Sequence, residues 1–324
     1  MSWSTQKRSS CKASATWNTM AAALLVVVVA AGVVGCGSSG GPGTTGAAGT
    51  TTTLPPIKHM TGASDLILQV STSGGLVPIE SKLTSTPDFS LYGDGRVIIT
   101  GPVIAIYPGP ALPNLQTAVI TEDEMQSLLR AAQNAGLFRS DFNYGHPSVT
   151  DMGTTTIVVN AAGKTYTSKI YALGMEENAG GVTDVQSQAR AQVNTFNQRL
   201  SSLSGFVTRK LSWTAYKYTS LAVYGKQTAA ASSGGSTNNS TGSAASTAST
   251  TSTDVQPNTL AWPLGDLATL GQPAEGGYRE LLVSGQDLST LSPLLAEATQ
   301  ITQWTSNGKV YNLYFRPLLP GQNR

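Results

Sequence analysis

Phe89-Ser-Leu-Tyr92, Gly93-Asp94-Gly95 and Arg96-Val-Ile-Ile-Thr100 read as two short strands and the turn between them. Asp-Gly supplies the positive φ angles that a tight hairpin needs, and the flanking residues are β-branched, aromatic or aliphatic. Two other stretches repeat the pattern. Thr155–Asn160 and Lys164–Tyr171 flank Ala161-Ala162-Gly163, and Ile301–Trp304 and Lys309–Phe315 flank a turn ending in Asn307-Gly308. Tyr218–Tyr224 and Tyr278–Val283 read as further strands. Strands joined by turns this short must pair antiparallel, because a parallel pair needs a crossover of a dozen residues or more.

Helices enter between the hairpins. Thr121-Glu-Asp-Glu124 is a capping box, with acids where the helix dipole favours them. Met125, Leu128, Leu129 and Ala132 follow on one face, and Gly136 ends the segment. Thr183-Asp-Val-Gln186 opens a second helix, with Val185, Ala189, Val193, Phe196, Leu200 and Leu203 as its apolar stripe and Gly205 as its stop. A third, shorter helix is expected within 287–299, with Leu288, Leu291, Leu295 and Ala298 inward and Pro293 near its start. Strands and helices do not alternate regularly. The expected class is α+β: an antiparallel sheet of hairpins covered by two to three helices.

Two tracts interrupt this pattern. Gly37 to Pro56 holds no charge and no aromatic residue, and residues 36–61 read as a flexible tether of roughly 25 Å r.m.s. span. Residues 227–253 contain no Leu, Ile, Val or aromatic side chain. They are too poor in apolar surface to fold, so 227–255 reads as a disordered insertion. Residues 62–320 then form a single α+β domain interrupted by that insertion. Two small domains joined by a linker are the rival, but the second would hold roughly 65 residues, near the lower limit for an unstapled core.

The N-terminus carries an address. Lys7, Arg8 and Lys12 occur with no acid before Met20–Val34, which runs without a polar side chain. A basic segment, an apolar segment and a small-residue site in this order make a secretory signal. Fifteen residues span roughly 22 Å as a helix, short of the ~30 Å hydrocarbon core. Val33-Val34-Gly35-Cys36 resembles a bacterial lipobox. That resemblance implies removal of residues 1–35 and lipid attachment, palmitate included, at Cys36. The chain would then sit on the extracytoplasmic face of the cell membrane, with the membrane as partner through the anchor. An uncleaved signal anchor is the alternative. Lys7-Arg8 lacks the arginine pair of twin-arginine export.

The remaining composition excludes several chemistries. The two cysteines are Cys11, discarded with the signal, and Cys36. No thiol remains for a disulfide, a thiol enzyme or a Cys-ligated metal. The chain is formally +2, and residues 1–35 hold three Lys/Arg and no acid, so the rest is 2 − 3 = −1. No basic cluster is left to neutralise phosphates, and nucleic acid is not an expected partner.

Catalytic candidates are sparse. His59 ends the tether. His146 lies in Asp141–Asp151 beside Ser148, and Asp141, His146, Ser148 and Asp151 are a base, nucleophile or hard-cation set in composition but match no motif spacing. Gly93-Asp94-Gly95 resembles a fragment of a Ca²⁺ loop, but its flanking strands explain it as a turn. Glu176-Glu177 reads as solvated loop. There is no phosphate loop, no Gly-x-Ser-x-Gly elbow and no His-Glu-x-x-His helix. Asn238 and Asn239 begin formal glycosylation sequons, which carry little weight beside a bacterial signal. Trp213, Tyr216, Tyr218, Tyr224, Trp262 and Trp304 line a groove or pack between sheet and helices; packing is the expectation.

Phe89–Ile98, the Thr121–Gly136 helix and the ending Trp304…Asn307-Gly-Lys-Val-Tyr…Arg316-Pro-Leu-Leu-Pro320 resemble uncharacterised secreted proteins and lipoproteins of actinobacteria and related bacteria. The resemblance spans most of 85–320 and its motifs are structural. It implies envelope localisation and one continuous domain, and it assigns no catalytic residue. Arg316 is the motif residue able to hold a carboxylate, with a structural salt bridge as the plainer role. The expected function is a membrane-anchored, non-catalytic binding or interaction module of the cell envelope, without cofactor or metal. Its partner would be an envelope protein, a glycan or a small ligand. The alternative is an envelope hydrolase using the 141–151 loop.

Overall fold

In chain order the elements are β1 (Leu66–Gly74), α1 (Ile79–Thr84), β2 (Phe89–Tyr92), β3 (Arg96–Thr100), β4 (Leu115–Val119), α2 (Glu122–Asn134), β5 (Gly153–Ala161), β6 (Lys164–Tyr171), α3 (Asp184–Ser202), β7 (Thr214–Ala215), β8 (Ser220–Gln227), β9 (Thr259–Ala261), β10 (Gln272–Pro273), β11 (Arg279–Ser284), α4 (Gly285–Glu297), β12 (Gln303–Ser306) and β13 (Lys309–Pro317). They come from a computed structural model that describes residues 54–175, 180–228 and 255–322. The architecture is α+β with antiparallel hairpins, and the strands divide into two sheets. The first has the order β6-β5-β1-β2-β3-β4-β7, the second β10-β11-β8-β13-β12-β9. Every named strand pair is antiparallel except β12–β9, where Trp304 lies opposite Leu260 in parallel.

The turns explain the hairpins. Ala162 and Gly163 both adopt positive φ (52° and 73°), as do Asn307 and Gly308 (48° and 72°). These two-residue turns match the right-handed twist of their strands. The β2–β3 turn differs from the expectation of positive φ at Asp-Gly, since Gly95 alone is positive, at 82°. The Gly95 amide donates to the Tyr92 carbonyl at 3.0 Å, closing a three-residue loop. A Cβ on Gly95 would lie 2.4 Å from the Ile120 carbonyl oxygen.

Helices α2 and α3 begin on capping boxes at Thr121/Glu124 and Thr183/Gln186. Met125, Leu128, Leu129 and Ala132 of α2 are buried, as are Ala189, Val193, Phe196 and Leu200 of α3. Two details of α3 correct the stripe reading. Val185 is 67% exposed, and the helix stops at Leu203 rather than Gly205. Leu203 takes the left-handed conformation (φ 52°) while its side chain is buried, so tertiary packing holds a shape that local propensity disfavours. Helix α4 starts two residues before the expected segment and buries Leu288, Leu291 and Leu295; Ala298, just beyond it, is buried too.

Each sheet has a helix-covered face. Leu91, Val97, Ile157 and Val159 of the first pack on α2 and α3, whereas Leu221, Val223 and Val283 of the second pack on α4 with Trp262, Trp304 and Phe315. On their other sides lie two smaller clusters. Tyr92, Ile98 and Leu115 meet Leu319, and Tyr224 and Tyr278 meet Leu318 and the α1 residues Ile79 and Leu83. Adjacent residues of the C-terminal segment thus serve both, and Tyr216 Oη on the first-sheet side donates to the Leu318 carbonyl at 3.3 Å. The short helix α1 lies in this interlayer region and lines the site described next.

Candidate functional site

Cys36, the signal at 1–35 and the tether up to residue 53 lie outside the described residues, as do Glu176, Glu177, Asn238, Asn239 and residues 229–254 of the expected insertion. Residues 54–61, read as the end of the tether, make defined contacts with α2. Gln126 clamps Ile57 from both sides, accepting from its amide at 2.7 Å and donating to its carbonyl at 2.9 Å. Arg130 donates to the carbonyls of Leu54 and Pro55. His59 Nε2 meets Glu122 at 3.0 Å and Nδ1 meets the Met60 carbonyl at 2.7 Å. Burial opposes the charged imidazolium, but these acceptors outweigh it and raise the His59 pKa.

The 141–151 loop does not assemble its polar residues. His146 is stacked on Tyr171 at 4.0 Å between ring centroids, and its Nδ1 meets the Pro147 carbonyl. Among the described residues His146 makes no hydrogen bond to Asp141, Ser148 or Asp151. The loop is held by structural contacts: Tyr171 Oη donates to the Val149 carbonyl and accepts from the Met152 amide, and the Ser148 amide donates to Gly180. Asp94 accepts from the Arg96 amide at 3.0 Å and lies 3.4 Å from its guanidinium, which accounts for its place in the turn. Among the described residues no group of three or more His, Cys, Asp or Glu side chains is placed to hold a metal ion.

The aromatic residues are distributed among the packing clusters and do not line one groove. Trp213 packs on the first core, Tyr218, Trp262 and Trp304 on the second, and Tyr216 and Tyr224 in the two interlayer clusters. Arg316 takes the structural role: it donates to Tyr224 Oη at 3.0 Å and lies 3.9 Å from Glu280, which also accepts from Tyr224 at 2.9 Å.

The site that the structure does build lies beneath residues 101–114 (GPVIAIYPGPALPN), the connection from β3 to β4. Prolines at 102, 108, 110 and 113 remove the amides a continued ladder needs, so the chain leaves the first sheet. The base of the loop is closed by the Gly101 amide on the Asn114 carbonyl (2.6 Å) and by Asn114 Nδ2 on the Pro102 carbonyl (2.8 Å). A Cβ on Gly101 would lie 2.7 Å from the Gln116 side chain, so a larger residue here would have to displace it. The distal part is strapped to the connection between α4 and β12. The Ala111 amide donates to Ala298, and the Gln300 amide donates to Gly109. The loop therefore bridges from one sheet to the elements of the other.

Under it lies a cavity of about 620 Å³. Its walls are α1 (Glu80, Ser81, Thr84), the loop itself, Gln300 and the β13 residues Leu313–Phe315. Most of the lining is apolar, and Glu80 is its one charged residue among those described. The crest of the loop is also apolar: Val103, Ile104, Ile106 and Tyr107 are 57–78% exposed. A contiguous apolar stretch left in water marks a surface that acquires a partner or ligand. This site was missed in the sequence. Its legible trace is the uncharged run Val103-Ile-Ala-Ile-Tyr107 between two prolines, too short and too bounded for an interior strand.

No helix among the described residues is long and apolar enough to cross a membrane. Comparison with protein-family models, with curated proteins and with solved structures yields no match.

Proposed function

We propose that this chain is a lipid-anchored extracytoplasmic binding protein, attached to the membrane through Cys36, whose working surface is the cleft between α1, the 101–114 loop and β13. The cleft carries this reading. Its volume, about 620 Å³, falls in the range of small-molecule sites, and its walls combine apolar side chains with a few polar ones. The exposed crest at 103–107 places further apolar surface at its mouth. A soluble domain gains nothing in stability from such exposure, whereas a ligand entering the cleft removes it from water. The rival reading, a hydrolase working through 141–151, has no comparable support, because His146 is engaged with Tyr171 and Pro147.

Two measurements test the proposal. Intact mass and membrane partition of the native protein are compared with Cys36→Ala; an acyl-sized increase beginning at Cys36, with partition lost in the variant, is expected. For the cleft, the full chain is placed in lipid nanodiscs with labelled Ile and Leu methyl groups and titrated with 1-adamantanol. Shifts should concentrate at Ile104, Ile106, Leu112 and Leu313 and vanish in Ala111→Phe. Shifts scattered over the surface, or none, would refute the cleft as the binding surface.

A further inference from the structure

We infer that the cleft selects an organic cation: a small molecule with a compact apolar body and an ammonium group that pairs with Glu80. The inference rests on the binding reading above and specifies the ligand's chemistry.

Glu80, on α1, lies in the wall of a cavity whose other described lining residues carry no charge. Its Oε1 accepts a 2.6 Å hydrogen bond from the hydroxyl of Tyr278, a residue 198 positions away just before β11. That bond holds the carboxylate ionised: Tyr278 lowers the Glu80 pKa, against a smaller effect of burial. Among the described residues no cation forms an ion pair with Glu80. Lys226, the cation nearest in effect, donates to the Gly276 carbonyl at 3.0 Å and lies over the Tyr278 ring at 5.3 Å. Lys82 shares α1, but residues two apart on a helix do not face each other. Arg316 is committed to Tyr224 and Glu280.

Two of the other polar groups of the lining are used within the protein. Thr84 Oγ1 donates to the Glu80 carbonyl and Asn114 to Pro102. A ligand entering this cleft meets mostly apolar walls, a few neutral polar groups and one negative charge. An anionic head would be repelled, and a neutral head can offer the carboxylate at most a hydrogen bond, leaving its charge uncompensated. An ammonium group satisfies the carboxylate while the body fills the apolar volume. Two unit charges in contact at about 4 Å favour binding about fivefold even with full aqueous screening, and partial exclusion of water raises the factor.

The test uses three ligands that share one body: 1-adamantanamine, 1-adamantanol and 1-adamantanecarboxylate. An n-octyl series with the same heads guards against a poor fit of the rigid body. Dissociation constants are measured by calorimetry on the full chain in nanodiscs, with empty nanodiscs subtracted. We expect the amine to bind at least about fivefold tighter than the alcohol, and the carboxylate to bind weakest. Glu80→Gln keeps the acceptor for Tyr278 but removes the charge; it should bring the amine to the level of the alcohol while leaving the alcohol unchanged. Equal affinities for the three heads, or a preference that survives in Glu80→Gln, would overturn the cation inference and leave the cleft standing. No binding of either series, or binding indifferent to Ala111→Phe, would overturn both.

Discussion

Tyr278→Phe isolates the contact that fastens α1 to the second sheet. The substitution deletes one hydroxyl. The ring stays buried in its cluster with Ile79 and Leu83 and keeps its edge contact with Tyr314 at 5.8 Å between centroids. What is lost is the 2.6 Å hydrogen bond to Glu80, along with the weaker hydroxyl contact with Tyr314. Hydrogen bonds to charged groups contribute about 1.5–3 kcal/mol, and Glu80 is half-exposed, so water replaces part of the loss. A cost of about 1–1.5 kcal/mol follows, a fall in melting temperature of roughly 2–5 °C for a chain of this size. The pH dependence gives a second signature. Because the Glu80 pKa is held below its ordinary value of 4.5, the bond's contribution is present above that pH and is lost as pH falls through the lower folded value. The gap between wild type and variant should be full at pH 7 and shrink below about pH 4.5. Urea denaturation of the full chain measures the gap, and amide exchange across 79–84 should accelerate in the variant. An unchanged denaturation midpoint at pH 7, or a gap that stays constant on acidification, would show that this bond does not fasten α1.

Other substitutions address the remaining parts. Gly95→Ala should cost about 2 kcal/mol or more, measured by denaturation, because it adds a Cβ at positive φ, 2.4 Å from the Ile120 carbonyl oxygen. Replacing Val103, Ile104 and Ile106 together by Ser should leave stability within about 0.5 kcal/mol of wild type, since all three are exposed, yet weaken 1-adamantanol binding about tenfold. The His59 pKa is raised, so its pairing with Glu122 stabilises fully below the ordinary value of 6.5 and is lost as pH rises through the folded value. Proteolysis of 54–60 should accelerate on alkalinisation through that range, and His59→Gln should be cut at a rate that no longer depends on pH.

The readings that held share one property: each depends on residues within a few positions of one another. The turns at Ala162-Gly163 and Asn307-Gly308, the helix starts at Thr121 and Thr183 and the buried face of α2 follow from backbone strain, orphan amides and helical periodicity, all local. The export signal and the acylation proposed at Cys36 rest entirely on sequence. The elements missed in it lack local signals. Strand β1 lies between β2 and β5 and pairs its Leu68–Gly74 with Gly153–Val159, far along the chain and with no turn between them. Helix α1 has six residues and no side-chain cap. The parallel partnership of β9 with β12 joins segments some forty residues apart.

The cleft belongs to the same class, and so do the failures at Leu203 and Val185. Glu80, Ala111, Gln300 and Tyr314 meet only after the two sheets are set in place by the interlayer clusters around Tyr92, Tyr224, Tyr278 and the Leu318–Leu319 segment. Local composition could announce hairpins and capped helices, because hydrogen bonding and dihedral preference act over one turn. Which acidic residue lines an apolar cavity was decided by burial between distant segments, and no periodicity or spacing encodes that.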